Sequence, residues 1–185
     1  ARKAVTLVLE LLSLPDCLIE KEDIPIVAHF AGWAGRFALR QNDILWFGEI
    51  AMLTTGCAVR SKNEPDGEEF LSAFDFWLHR ILRQGRVEAI PVVFEALSLF
   101  ITVAPDKKKV VCAFLREWRV VAGMACLNVE SPVASQLVEE LLLFTVRSGA
   151  DELWQPVSEK IGEIAVLAVT KHGVKSAFQV FRPLL

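Results

Sequence analysis

Tyrosine is absent from the 185 residues, although phenylalanine occurs 12 times and tryptophan five times. Sites that stack nucleobases or sugars draw on tyrosine, so its absence weighs mildly against both. Histidine is scarce: His29, His79 and His172 lie far apart, with no HxxxH, HExxH or Glu-x-x-His spacing. Zinc sites built on one helix and di-metal bundle centres are therefore not indicated, and no metal ligand is assigned. The cysteines, Cys17, Cys57, Cys112 and Cys126, form no CxxC and each sits in or beside an apolar stretch. On one helix Cys112 and Cys126 would stand about 21 Å apart, too far to bond or share an ion. Buried, reduced thiols and a cytoplasmic location are the expectation.

Chemistry-bearing motifs are also missing. Neither GxGxxG nor GxxxxGK[ST] occurs, so no phosphate-cradling loop and no cofactor is expected. There is no GxSxG, and no cysteine adjoins a histidine. Enzymatic function thus finds no support, and no catalytic residue is assigned. No segment shows sustained period-two alternation, and Asp66-Gly67 is the one hairpin-type dipeptide. The fold class is all-α.

Long apolar runs are lacking too, despite 53% apolar residues and a mean hydropathy of +0.39. The longest, 44–59 and 89–104, each carry a glutamate near the middle and fall short of the roughly 20 residues of a spanning helix. They read as helices buried in protein, not as transmembrane segments. No signal peptide is visible, because residues 1–14 lack a clear n-region and a small-residue cleavage site. The net charge of −3 from 20 basic and 23 acidic residues makes no strong case for nucleic acid or anionic lipid as a partner.

What is present is helical punctuation. The length suits one domain over 1–185. The missing initiator methionine and polar tail suggest a domain excised from a longer chain. Residues 2–13 show helical spacing up to Pro15-Asp16. Asp23 offers an N-cap for 24–40, with Pro25 in the first turn. Within it, Gly32 and Gly35 flank Trp33 and predict close approach of a neighbouring helix. Asn42 or Asp43 caps 44–59, and the polar stretch at 60–67 predicts a mobile loop. The remaining helices are expected over 68–84, 87–103, 106–127, 132–148, 151–172 and 174–182. In 68–84 the apolar stripe comprises Phe70, Leu71, Phe74, Trp77, Leu78, Ile81 and Leu82. Eight or nine helices result, arranged as antiparallel pairs in a short right-handed α-solenoid or an irregular bundle.

A short phrase recurs: Gly48-Glu49-Ile50-Ala51-Met52-Leu53 and Gly162-Glu163-Ile164-Ala165-Val166-Leu167, with echoes at 94–99 and 138–143. Aligned on Glu49, Glu95, Glu140 and Glu163, the offsets are 46, 45 and 23 residues, the last as if it fell on the next helix. Trp33, Trp77, Trp118 and Trp154 make a second register at offsets of 44, 41 and 36. Periods in the forties belong to stacked helical repeats. The pattern resembles HEAT- or armadillo-like α-solenoids over about 24–182. That resemblance implies a concave face that binds other proteins.

The recurring glutamates sit in apolar helices, so each must stay at a helix edge, find a partner or shift its pKa. Glu49 and Glu95 with their echoes form either a groove lined by carboxylates, for basic peptides or a cation, or a narrow polar stripe. Lys108, Lys109, Arg116 and Arg119 fall within an arc of about 100° on a helix, either a contact for phosphates or an acidic partner or a solvated face. Asp75 and His79, four apart, can meet as a surface ion pair. Together these features predict a protein–protein interaction or scaffolding domain of a larger protein. Its apolar groove would be edged by Glu49, Glu95 and the Lys108–Arg119 stripe. Homo-oligomers are compatible with this reading. The alternative is a regulatory or sensor domain enclosing a small apolar ligand between helices.

Overall fold

Capping and proline chemistry set the helix boundaries in the computed structural model, which describes residues 2–61, 68–103, 107–115 and 132–182. Helix α1 spans Arg2–Ser13, α2 Ile24–Arg40, α3 Ile44–Arg60, α4 Glu68–Gln84 and α5 Ile90–Val103. They are followed by α6 (Lys107–Leu115), α7 (Val133–Ser148), α8 (Trp154–His172) and α9 (Val174–Val180). Among the described residues there is no strand, only an isolated bridge between Ile19 and Ser61. The all-α expectation holds. The loop expected at 60–67 and the helix expected over 106–127 lie largely outside the described residues.

Asp43 caps α3 as expected, its Oδ1 accepting from the Trp46 amide at 2.9 Å. Asp23 differs: its side chain makes no cap bond at α2, and only its carbonyl accepts, from the Val27 amide at 3.0 Å. The helix expected from 87 begins instead as a 3-10 turn, Val87–Ala89, before α5. Pro91 explains this, since it has no N–H for the Val87 carbonyl and its ring would clash there. Pro156 acts alike on the 3-10 turn Asp151–Leu153 ahead of α8. Gly149, at φ +61°, ends α7 in the left-handed conformation that glycine adopts without strain.

Among the described helices, each from α3 to α8 packs on the one two places earlier, whereas α9 packs mainly on α8. Helix α3 lies on α1, α5 on α3 and α7 on α5, while α4 lies on α2, α6 on α4 and α8 on α6. The result is two layers with the apolar core between them. Within the second layer α2 and α4 run parallel, Gly32 against Ala73 and Gly35 against Trp77. The close approach expected at these glycines is therefore present. A Cβ on Gly35 would collide with the Trp77 indole, whose Nε1 donates to the Gly32 carbonyl at 2.9 Å. Thr55 ties α3 to α5 through a hydrogen bond to the Ala96 carbonyl at 3.1 Å. Trp46 ties α3 to α1, its Nε1 donating to Thr6 Oγ1 at 3.0 Å.

Burial repeats along the layers. On α3, α5 and α7 an exposed glutamate precedes two buried residues, at Glu49, Glu95 and Glu139, with spacings of 46 and 44 residues. The Glu140 alignment is therefore off by one position. Glu140 occupies the buried place that Ile50 and Ala96 fill on the neighbouring helices. On α2 and α4 the exposure pattern superimposes at a spacing of 43, which makes Trp33 the counterpart of Phe76, both exposed. The tryptophan register does not survive, because Trp77 is buried and Trp33 is not; Trp118 lies outside the described residues. Among the described residues no helix is long and apolar enough to cross a membrane.

Candidate functional site

Of the residues singled out in the sequence, Glu49 and Glu95 are exposed on α3 and α5, adjacent helices of the first layer. Glu49 Oε2 lies 3.9 Å from Arg2 Nη2, while Arg2 Nη1 meets Asp43 Oδ2 at 2.6 Å. Lys109 is exposed on α6, in the second layer. Lys108 also belongs to α6, but its side chain, like all of Arg116 and Arg119, lies outside the described residues. The carboxylates and Lys109 therefore stand on different layers. Among the described residues no three His, Cys, Asp or Glu side chains are placed to hold a metal ion. Asp75 and His79 do meet, Oδ1 to Nδ1 at 3.3 Å, and Nδ1 also lies 2.9 Å from the Asp75 carbonyl.

A concavity lies elsewhere, along the outer side of the parallel pair α2 and α4. One end is a notch of about 380 Å³ floored by Ala28, Gly32 and Ala73 and walled by Trp33 and Phe76. Its floor is low because small residues bring the two helices together. The walls are large aromatics left 47% and 43% exposed. Trp33 is held upright by stacking on Phe30 and Phe37, at centroid distances of 6.1 and 5.6 Å.

The notch opens into a second hollow of about 500 Å³, which shares Arg36, Ser72 and Phe76 and adds Asp75, His79, Arg80 and Arg83. Arg36 lies over the Phe76 ring, 5.7 Å from its centroid, in cation–π contact. The Nε atoms of Arg36 and Arg80 are buried with no hydrogen-bond partner. This groove is apolar at one end and basic at the other. Two sequence signals pointed toward it: the glycine pair on α2, and Phe76, a phenylalanine that falls outside the apolar stripe of its own helix.

Two further groups are perturbed by burial. Glu140, 4% exposed, has its pKa raised from the ordinary 4.5, chiefly by burial. Arg147 Nη1, 3.8 Å from Oε2, and Gln136 Nε2, donating to Oε1 at 3.1 Å, pull the other way. Cys57 is buried, and burial, with the nearby Cys17, pushes its thiol up to about 12. Cys17 is half-buried but Cys112 is exposed, so the expectation of buried thiols fails at Cys112.

No protein-family model matches the chain, and no curated protein or solved structure is significantly similar to it.

Proposed function

We propose that the chain is a helical-repeat interaction module, a protein-binding or scaffolding unit whose working surface is an open side of its two-layer stack. The observation that carries this reading is the i-to-i+2 stacking of helices with a recurring burial pattern. Side-by-side helices of one layer leave grooves between them, and stacked helical repeats use such surfaces for partners. The exposed aromatics Trp33 and Phe76 on α2 and α4 support it, because side chains of this type anchor interfaces. The face bearing Glu49 and Glu95 is a further candidate contact, as are Lys108 and Lys109 of α6 together with Arg116 and Arg119, which lie outside the described residues. A sensor enclosing a small apolar ligand fits less well. The notch between α2 and α4 is a half-open groove, and small-molecule sites bury most of their ligand.

The test is a pull-down from native lysate with the chain as bait beside its Lys108→Glu/Arg116→Glu variant. A stoichiometric partner is expected. Its loss in the variant would place the contact on the basic cluster Lys108–Arg119, and its retention would place it on another face. A bait that captures no partner sinks the interaction reading.

A further inference from the structure

The groove between α2 and α4 has a polarity that constrains what fits it. Both helices run parallel, so both present small and aromatic residues at one end and arginines at the other. The basic end holds Arg36, Arg80 and Arg83 against one carboxylate, Asp75, which His79 already engages. Arg83, in the last turn of α4, complements the helix dipole. That account does not reach Arg36 and Arg80, whose buried Nε donors lack acceptors. From Ser72 to Arg83 the groove is about 16 Å long at 1.5 Å per residue, three helical turns. Ala73, on the apolar floor, and Arg80 are seven residues apart, about two turns.

We propose that this groove docks an acidic amphipathic helix of a partner protein. An apolar side chain of that helix sits on the Gly32–Ala73 floor between Trp33 and Phe76. Carboxylates about seven residues further along pair with the guanidinium groups of Arg36, Arg80 and Arg83. The inference rests on the interaction reading above and gives it a partner chemistry. Charge complementarity selects the occupant. A groove with three arginines confined to one end and aromatics at the other matches a segment that is itself half apolar and half acidic, not a uniformly charged polymer.

The probe is a fluorescein-labelled three-turn peptide with leucines at i and i+4 and glutamates at i+7, i+8 and i+11, made in both sequence directions. Fluorescence anisotropy should show saturable binding in the micromolar range by one direction. The same peptide with lysines for glutamates should not bind. Arg80→Glu/Arg83→Glu should weaken the acidic peptide by about tenfold or more and confer binding of the lysine peptide. Trp33→Ala should weaken the acidic peptide without inverting the charge preference. Circular dichroism confirms that each variant remains folded, and Trp33→Ala, at an exposed site, keeps the test open if the double reversal unfolds.

Failure of the acidic peptide to bind in either direction overturns the proposal. So does equal binding of the two peptides, or binding by anionic vesicles or a single-stranded oligonucleotide that the arginine reversal abolishes while the peptide is ignored. A lysate partner captured equally by the parent chain and the Arg80→Glu/Arg83→Glu variant, and not displaced by the peptide, overturns this groove assignment while leaving the interaction reading standing.

Discussion

Glu140 shows how much one position matters. It stands where neighbouring helices carry Ile50 and Ala96, and its pKa is raised mainly by burial. The fold therefore favours the protonated carboxyl. Its contribution to stability is fully present below the ordinary value of 4.5 and is lost as pH rises through the raised folded value. Glu140→Gln keeps the shape and the contact with Gln136 but cannot ionise. Its melting temperature should match the parent near about pH 4 and exceed it by a few degrees near about pH 7. Thermal denaturation at the two pH values reads the difference; equal values at both would mean that Arg147 fully compensates the charge. The cysteines give a second residue-scale outcome. With its thiol pushed up to about 12, Cys57 should resist a brief iodoacetamide pulse that labels exposed Cys112, as peptide mass mapping would show. Burial of Cys57 was legible in its apolar surroundings, but the environment of Glu140 was not. The phrase Val138-Glu139-Glu140-Leu141 offers two adjacent glutamates, and one residue turns a helix face by about 100°. Identity alone could not choose the exposed one.

At the scale of elements, the α2–α4 contact was the most legible feature. Glycines beside an aromatic inside a helix are costly unless another helix uses the space, and Trp77 uses it. Which tryptophan fills the space was not legible, because Trp33 and Trp77 fall in one register of the sequence, yet Trp33 is exposed and Trp77 buried. The contact predicts two opposite results for one substitution. Gly35→Ala gains about 1 kcal/mol of helix propensity but forces a methyl into the Trp77 ring, where overpacking costs about 1–3 kcal/mol. A net loss of up to about 2 kcal/mol is expected by urea denaturation. Gly162→Ala in α8 meets no atom within 4 Å and should gain up to about 1 kcal/mol in the same assay. A Gly35→Ala protein as stable as Gly162→Ala would mean that α2 and α4 can move apart at little cost. Helix ends were legible wherever a cap or glycine set them, and shifted where Pro91 and Pro156 forced a 3-10 turn first.

Across the whole molecule, the helices of the described residues could be read from punctuation, but not the stacking order, which depends on side-chain faces several helices apart. That order has a consequence for cooperativity. In a stack each helix leans mainly on its neighbours, so stability follows local burial. Helix α3, with α1 and α5 on either side, buries Trp46, Phe47, Ile50, Ala51, Thr54, Thr55, Cys57 and Ala58. Helix α8, longer at 19 residues, buries Val157, Ile164 and Ala168. Native-state hydrogen exchange should therefore find α8 opening at a lower free energy than α3 and α5, with a weak dependence on denaturant, because little surface is exposed in that step. Amides of α3 and α5 should exchange only through global unfolding, with the full dependence. If α8 and α3 instead share one free energy and one denaturant slope, the two layers unfold as a single unit. The quasi-one-dimensional behaviour expected of stacked repeats would then not apply, and the helical-repeat reading would lose its thermodynamic support.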